Sequence, residues 1–343
     1  MIDSPSNRDA DAAIRSTDTD ASQSRLSAVR RDYLKDPFIH LLVPRAHSAP
    51  PRPPLINIGT YVRAEAIDKL VYGWLNLKVT DNRKKQIVSL GAGSDTRFWR
   101  IAVGICVSLS SSCKERLARY VEIDFPEVTG KKAMSIRKHK ELSILLGENV
   151  KIIAGGTGLS AEVYHLEPID LRLPPESTLG VLVQNGVLDP TLPTLFIAEC
   201  VFVYLRPSVS HGIVSWFTST ITGGCSGLIY EMFGLNDSFG RVMKENLRAR
   251  NIEIPGVEES SALEAQLQRL FNGGIQSAQA MTLRTVRQKC ISEEELSRIS
   301  RLEMLDEVEE LDLVLSHYVL TWGYSLPNGV TDEEREHWKA WEL

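Results

Sequence analysis

The run Ile87-Val88-Ser89-Leu90 passes straight into Gly91-Ala92-Gly93-Ser94-Asp95-Thr96. A strand-forming segment that ends in a glycine-rich turn constrains the fold more than any other part of this chain. Glycine has no Cβ, so it adopts positive φ easily and lets a ligand come close to the main chain. Further on, Tyr120-Val121-Glu122-Ile123-Asp124 is a second apolar strand ending in a carboxylate. An acidic group at that place accepts hydrogen bonds from both ribose hydroxyls of an adenosine cofactor. The pair predicts a nucleoside-binding α/β fold.

The loop chemistry narrows the nucleoside. A dinucleotide fold uses G-x-G-x-x-G, with a helix N-terminus facing a pyrophosphate. Here Thr96 stands at the third glycine's place, and Asp95 is an anion that would repel a pyrophosphate. S-adenosyl-L-methionine has no phosphate and carries a sulfonium cation, so an acidic loop suits it better. A tight strand-to-helix turn with no ligand would use the same short glycine pattern.

Composition sets outer bounds. The chain has 343 residues, 43% hydrophobic and 24% charged, with a net charge of −5. That is ordinary for a globular protein and argues against nucleic acid as the main partner. No apolar run reaches the roughly 18 residues of a membrane span, and no secretory signal opens the chain. Cys106, Cys113, Cys200, Cys225 and Cys290 show no C-x-x-C spacing, which suits a reducing, cytoplasmic setting with no disulfide framework and no metal site.

Along the chain, residues 1–16 are polar and read as a disordered tail, and 17–343 as one domain. Asp20 is positioned to cap a helix over Ala21–Leu34, stopped by Asp36-Pro37. The prolines of Ser48–Pro54 read as an extended connector. Ile67, Leu70, Val71 and Trp74 predict a helix over Thr60–Leu77. Strands are predicted at Ile87–Gly91, Tyr120–Phe125, Lys151–Ala154, Tyr164–Asp170, Thr194–Cys200 and Gly227–Met232, separated by helical stretches. This alternation predicts a mainly parallel sheet covered on both faces. A late strand at His317–Trp322 would lie antiparallel at the sheet edge. The charged, helical segment 236–290 reads as a lid.

These stretches resemble, in order, the motifs of the leucine carboxyl methyltransferase family, whose members methylate the C-terminal leucine of the type-2A protein phosphatase catalytic subunit. The residues that carry the resemblance are Thr19-Asp20-Ala21-Ser22 with Arg25, Tyr33 and Asp36-Pro37-Phe38-Ile39; Ile56-Asn57-Ile58-Gly59 through Arg63; Gly91 through Arg100; Glu122 through Pro126; Asp170-Leu171-Arg172; Ala198 through Tyr204; Arg241 through Arg250; and His317-Tyr318. One departure is the apolar run Ile101–Cys113 between the loop and the second strand, which reads either as a surface insertion or as an error in the gene sequence.

The resemblance implies a class I S-adenosylmethionine-dependent methyltransferase fold, with a mainly parallel seven-stranded sheet, an antiparallel edge strand and an added helical lid. It implies that Arg63 and Arg25 hold the carboxylate of the cofactor's methionine part. Gly91 lets the backbone approach the cofactor, Asp124 takes the ribose, and Asp170 with Leu171 frames the adenine. Glu199 lies next to the methionine end. Arginine suits the first role because its planar fork pairs bidentately with a carboxylate. The acceptor would be a peptide α-carboxylate, with an ordinary pKa of about 3.3–3.7. It is an anion already, so no general base is needed, and Arg172 and Tyr204 are the candidates to steer it. A monomer with a leucine-tailed phosphatase as its protein partner is expected. Two other readings keep the fold: a carboxyl or O-methyltransferase acting on a modified tRNA base or small metabolite, and a non-catalytic binding module.

Overall fold

β1 (Lys85–Leu90) is buried at every residue, and its side chains divide between two cores. Ile87 packs on one face of the sheet, while Val88 and Leu90 pack on the other. Such two-sided burial belongs to a central parallel strand, because successive side chains point to opposite faces. The structure is a computed structural model that describes residues 5–77, 83–105, 113–257, 262–306, 308–327 and 329–343. Its further strands are β2 (Leu117–Asp124), β3 (Lys151–Ile153), β4 (Gly158–Ser160), β5 (Tyr164–Pro168), β6 (Thr194–Glu199), β7 (Cys225–Met232), β8 (Ser277–Thr282) and β9 (Tyr318–Ser325).

Among the described residues these form one nine-stranded sheet in the order β3-β4-β5-β2-β1-β6-β7-β9-β8. The five central strands β5-β2-β1-β6-β7 pair in parallel. The class I α/β architecture is thus present. From β1 the chain builds outward through β2 and β5 on one side, and through β6 and β7 on the other. Ligands of such sheets bind outside the carboxyl ends of the strands where the order reverses, here β1 and β6.

The sheet is wider than seven strands, because β4 and β8 join it. Both are short or half-exposed and lack the apolar runs that mark the central strands. β9 is antiparallel to β7, and β8 pairs beyond it, so the antiparallel strand lies one place in from the edge. β8 belongs to the segment 236–290, which therefore supplies part of the sheet as well as surface helices.

The N-terminal helix runs from Pro5 to Arg30 without a break. Residues 5–16, read from sequence as an unstructured tail, are its first turns, and Asp20 sits inside the helix rather than capping it. A second long helix spans Pro54–Asn76. It starts earlier than Thr60 because Pro54 occupies its first turn, where a missing N–H costs nothing. Its last carbonyls meet an unusual cap: the buried Lys85 ammonium donates to the carbonyl oxygens of Trp74, Leu75 and Leu77 at 2.6, 3.0 and 2.7 Å. The C-terminal residues pack against the same helix. The Trp341 indole donates to the Leu70 carbonyl, and the Trp322 indole to the Trp341 carbonyl. Of the apolar run Ile101–Cys113, residues 106–112 lie outside the described residues; Cys113 is buried.

Candidate active site

A cavity of about 440 Å³ opens beyond the carboxyl ends of β1, β2, β5, β6 and β7. That volume lies within the range of small-molecule and cofactor sites, roughly 300–1,000 Å³. Its floor is the glycine-rich turn. Gly91 and Gly93 have φ of +59° and +48°. A Cβ on Gly91 would lie 2.6 Å from Val201 Cγ2, and one on Gly93 would lie 2.5 Å from Asp18 Oδ1. Only glycine fits either position, for both conformational and steric reasons.

At the end of β2, Asp124 accepts hydrogen bonds from the Gly93 and Phe125 backbone N–H groups at 2.8 and 2.7 Å. It clamps the glycine turn rather than capping the following helix. Burial pushes its carboxyl up to about 6, against the opposing pull of the Gly93 and Phe125 donors. A half-buried carboxylate with spare acceptor capacity is what two ribose hydroxyls would satisfy, so Asp124 fits the expected cofactor.

At the end of β6 the cavity wall becomes ionic. Glu199 Oε1 accepts from Arg63 Nε at 2.6 Å, and Oε2 accepts from Arg97 Nη2 at 3.3 Å. Burial works to raise the Glu199 carboxyl, but Arg63 first and Arg97 second outweigh it and hold the group below its ordinary range. Arg63 lies over the Tyr230 ring at 4.5 Å, and Tyr230 stacks on Tyr318. The residue after Glu199, Cys200, has φ +61°. That left-handed turn is costly for a residue with a side chain, and it swings Val201 and Tyr204 over the cavity.

Behind this wall lies a network that sequence reasoning missed. Arg97 donates to Asp68 at 3.0 Å and to Asp95 at 2.5 Å. Arg100 pairs with Asp68 as well. Arg25 donates to the buried Asp36 at 2.6 Å, and Asp36 also accepts from Thr96 and from the Phe38 and Ile39 N–H groups. Asp68 was detectable in principle: it interrupts the apolar stripe Ile67, Leu70, Val71, Trp74. A charge on a buried helix face is rarely there without a partner.

Arg25, Arg63, Gly91, Asp124, Leu171, Arg172, Glu199 and Tyr204 all line the one cavity. Asp170 lies just outside it and is paired with Arg172 at 2.7 Å. Arg172 also pairs with Asp11 of the N-terminal helix at 2.5 Å and lies over Phe125. It follows β5, whereas Tyr204 follows β6, three places away in the sheet order. At about 4.8 Å per strand this separates the two residues across the cavity, so the structure does not bring them together as one steering pair. Tyr204 Oη is 4.0 Å from Cys200 Sγ, and burial followed by Cys200 raises its phenol well above the usual value. Tyr204 is a donor at neutral pH, not a base.

The roof comes from the periphery. Asp18 accepts from the Ser94 N–H at 2.7 Å and from its hydroxyl at 2.9 Å, which seats the N-terminal helix on the glycine turn. The helix Ser238–Arg248 contributes Met243 and Leu247, and Met232, Ile252 and Leu315 complete an apolar wall.

The family model described as leucine carboxyl methyltransferase matches residues 13–218. Leucine carboxyl methyltransferase 1 of Cryptococcus neoformans var. neoformans serotype D is 44% identical, over 94% of this chain and 95% of its own. The leucine carboxyl methyltransferase 1 homolog of Arabidopsis thaliana is 36% identical over 96% and 93%. Leucine carboxyl methyltransferase 1 of Schizosaccharomyces pombe is 34% identical over 90% and 94%. Matches of this extent, on a glycine turn, strand-end carboxylates and a class I sheet, mean that the chain belongs to the leucine carboxyl methyltransferase family, enzymes that take their methyl group from S-adenosyl-L-methionine.

Proposed function

We propose that this protein methylates the α-carboxylate of the C-terminal leucine of the type-2A protein phosphatase catalytic subunit, and so regulates that phosphatase. The observation that carries the reading is that one cavity is lined both by the Arg63–Glu199–Arg97 ion cluster and by the apolar side chains Met232, Met243, Leu247, Ile252 and Leu315. An amino-acid group of the cofactor suits the first, and an aliphatic side chain beside a terminal carboxylate suits the second.

S-adenosyl-L-methionine supplies an electrophilic methyl group when bound. Asp124 would hold its ribose, Gly91 and Leu171 would face its nucleoside, and Arg63 and Glu199 would meet its carboxylate and ammonium. Arg25, held by Asp36, would add positive potential there rather than a direct bond. The acceptor carboxylate, with an ordinary pKa of about 3.3–3.7, arrives ionised. The chain therefore need only orient it and exclude water. Tyr204 is the donor best placed to steer it, and Arg172 fastens the N-terminal helix over the nucleoside end instead. The apolar wall strips water from the leucine side chain, which contributes roughly 1.5–3 kcal/mol.

The lid in this reading is the helix Ser238–Arg248 within 236–290, and the enzyme works as a monomer in the cytoplasm. The four described cysteines are free thiols, and among the described residues no helix is long and apolar enough to cross a membrane. The test is transfer of labelled methyl from S-adenosyl-L-methionine to the intact phosphatase and to phosphatase lacking its last leucine. Labelling of the first alone is expected. Equal labelling of both, or labelling of a modified tRNA or small carboxylate instead, would overturn the assignment.

A further inference from the structure

Glu199 stands between two arginines that are held very differently. The Arg63 side chain is 26% exposed, and Glu199 is its ion-pair partner. The Arg97 side chain is 1% exposed and is held by three carboxylates: Asp68 through Nε, Asp95 through Nη1 and Glu199 through Nη2. A zwitterionic amino-acid group brings its own carboxylate and ammonium, and so competes for both members of the Arg63–Glu199 pair. Arg63 can turn toward an incoming carboxylate, whereas Arg97 is immobilised.

We propose that Arg97 is a positioning residue, which keeps the Glu199 carboxylate aimed at the cofactor's ammonium once Arg63 has been drawn to the cofactor's carboxylate. The inference rests on the reading that the amino-acid group lies at Glu199. Without Arg97, drawing Arg63 away would leave the half-buried Glu199 carboxylate with the incoming ammonium as its single cation and no fixed donor to aim it. Glu199 would then retain Arg63 or take up a proton, and either outcome withdraws it from the ammonium. Lysine cannot replace Arg97, because a single ammonium lacks the planar fork that spans three carboxylates. The position of Arg97 at the start of the helix Arg97–Ala102, directly after the glycine turn, ties this brace to the cofactor loop.

The test is calorimetric and needs no turnover. S-adenosylhomocysteine and its analogue lacking the α-amino group are titrated into wild type, Arg97→Met and Arg97→Lys, with thermal melts to confirm folding. In wild type, loss of the amino group should weaken binding about tenfold or more, the worth of one charge-assisted hydrogen bond. Arg97→Met should weaken S-adenosylhomocysteine by about the same factor. It should weaken the deaminated analogue by less than about threefold, because the two deletions remove one coupled interaction. If Arg97→Met does not fold, Arg97→Lys, which keeps a cation between Asp68 and Asp95, should show the same coupling. Equal weakening of both ligands by the variants would make Arg97 merely structural and overturn the proposal. Equal binding of both ligands by wild type would instead overturn the placement of the ammonium at Glu199. No binding of S-adenosylhomocysteine by wild type would remove the cofactor reading itself.

Discussion

The two walls of the cavity are built on opposite principles. The sheet-side wall is backed by buried charges, with Arg97, Arg100 and Asp68 each almost wholly shielded from water and each multiply partnered. The covering wall has one buried anchor, Arg25 of the N-terminal helix on Asp36, and otherwise closes through pairs at the surface: Asp20 with Arg250 and, at 3.6 Å, with Arg52, and Arg172 with Asp11. Buried pairs are expensive to assemble and more expensive to break, so they fix positions. Exposed pairs are worth 0–1 kcal/mol and are screened by salt, so they close a site without locking it. A site that must orient a methyl donor accurately, yet admit and release it, uses the first kind under the ligand and the second kind over it.

The sharpest way to break this contrast is Asp68→Ala. It leaves Arg97 and Arg100 short of a shared buried partner and should lower stability by about 3–5 kcal/mol, read from the denaturation midpoint. A loss under about 1 kcal/mol, the surface-pair value, would erase the distinction between the walls. Arg63→Ala comes next. It removes a bidentate partner for the cofactor's carboxylate and should weaken S-adenosylhomocysteine binding roughly 10- to 100-fold. Unchanged affinity would take Arg63 out of the cofactor site.

A third expectation concerns pH. The Asp124 carboxyl lies at about 6 in the folded protein, above its ordinary 3.8. Ribose hydroxyls need an ionised acceptor, so cofactor affinity should fall as pH drops below about 6, by up to tenfold per unit. The stability of the ligand-free protein should respond to this group in the opposite sense. Between about 4 and 6 the folded state retains a proton that the unfolded state has released, so stability falls as pH rises through that window. Titration calorimetry at several pH values separates the two trends, and affinity that is level from pH 5 to 8 would contradict the role of Asp124. The smallest effect should come from Asp20→Ala, which removes the carboxylate partner of Arg250 and Arg52. Stability should change by less than about 1 kcal/mol, while cofactor dissociation in stopped flow becomes faster and loses part of its salt dependence. Dissociation slower than wild type would show that the N-terminal helix is not a cover.

What was legible in the sequence follows the same division. The glycine turn and Asp124 were readable because each ends an apolar strand, and a strand end is a local signal. The central strands were readable for the same reason, whereas the role of Glu199 came with the family resemblance. β8, with its half-exposed Ser-Ala-Gln-Ala-Met-Thr, was not, since its place depends on pairing with β9 rather than on its own pattern. The start of the N-terminal helix is tied down by Asp11 and Asp18, whose partners Arg172 and Ser94 lie in turns beyond the strand ends, which local composition does not encode. Arg25 is the instructive case. Its presence in the cavity was readable, but its commitment to Asp36 was not, because no spacing rule predicts which of several nearby carboxylates a buried arginine chooses.

The tryptophans that pin the C-terminal residues carry a consequence for observing this molecule. Trp74, Trp99, Trp216, Trp322, Trp338 and Trp341 are all buried, and three of them, Trp74, Trp322 and Trp341, hydrogen-bond through their indole nitrogens around the long helix that also bears Arg63. The chain thus contains its own optical reporter. Native emission should be blue-shifted. A red shift that precedes global melting would mark release of the last residues from that helix, visible without any label.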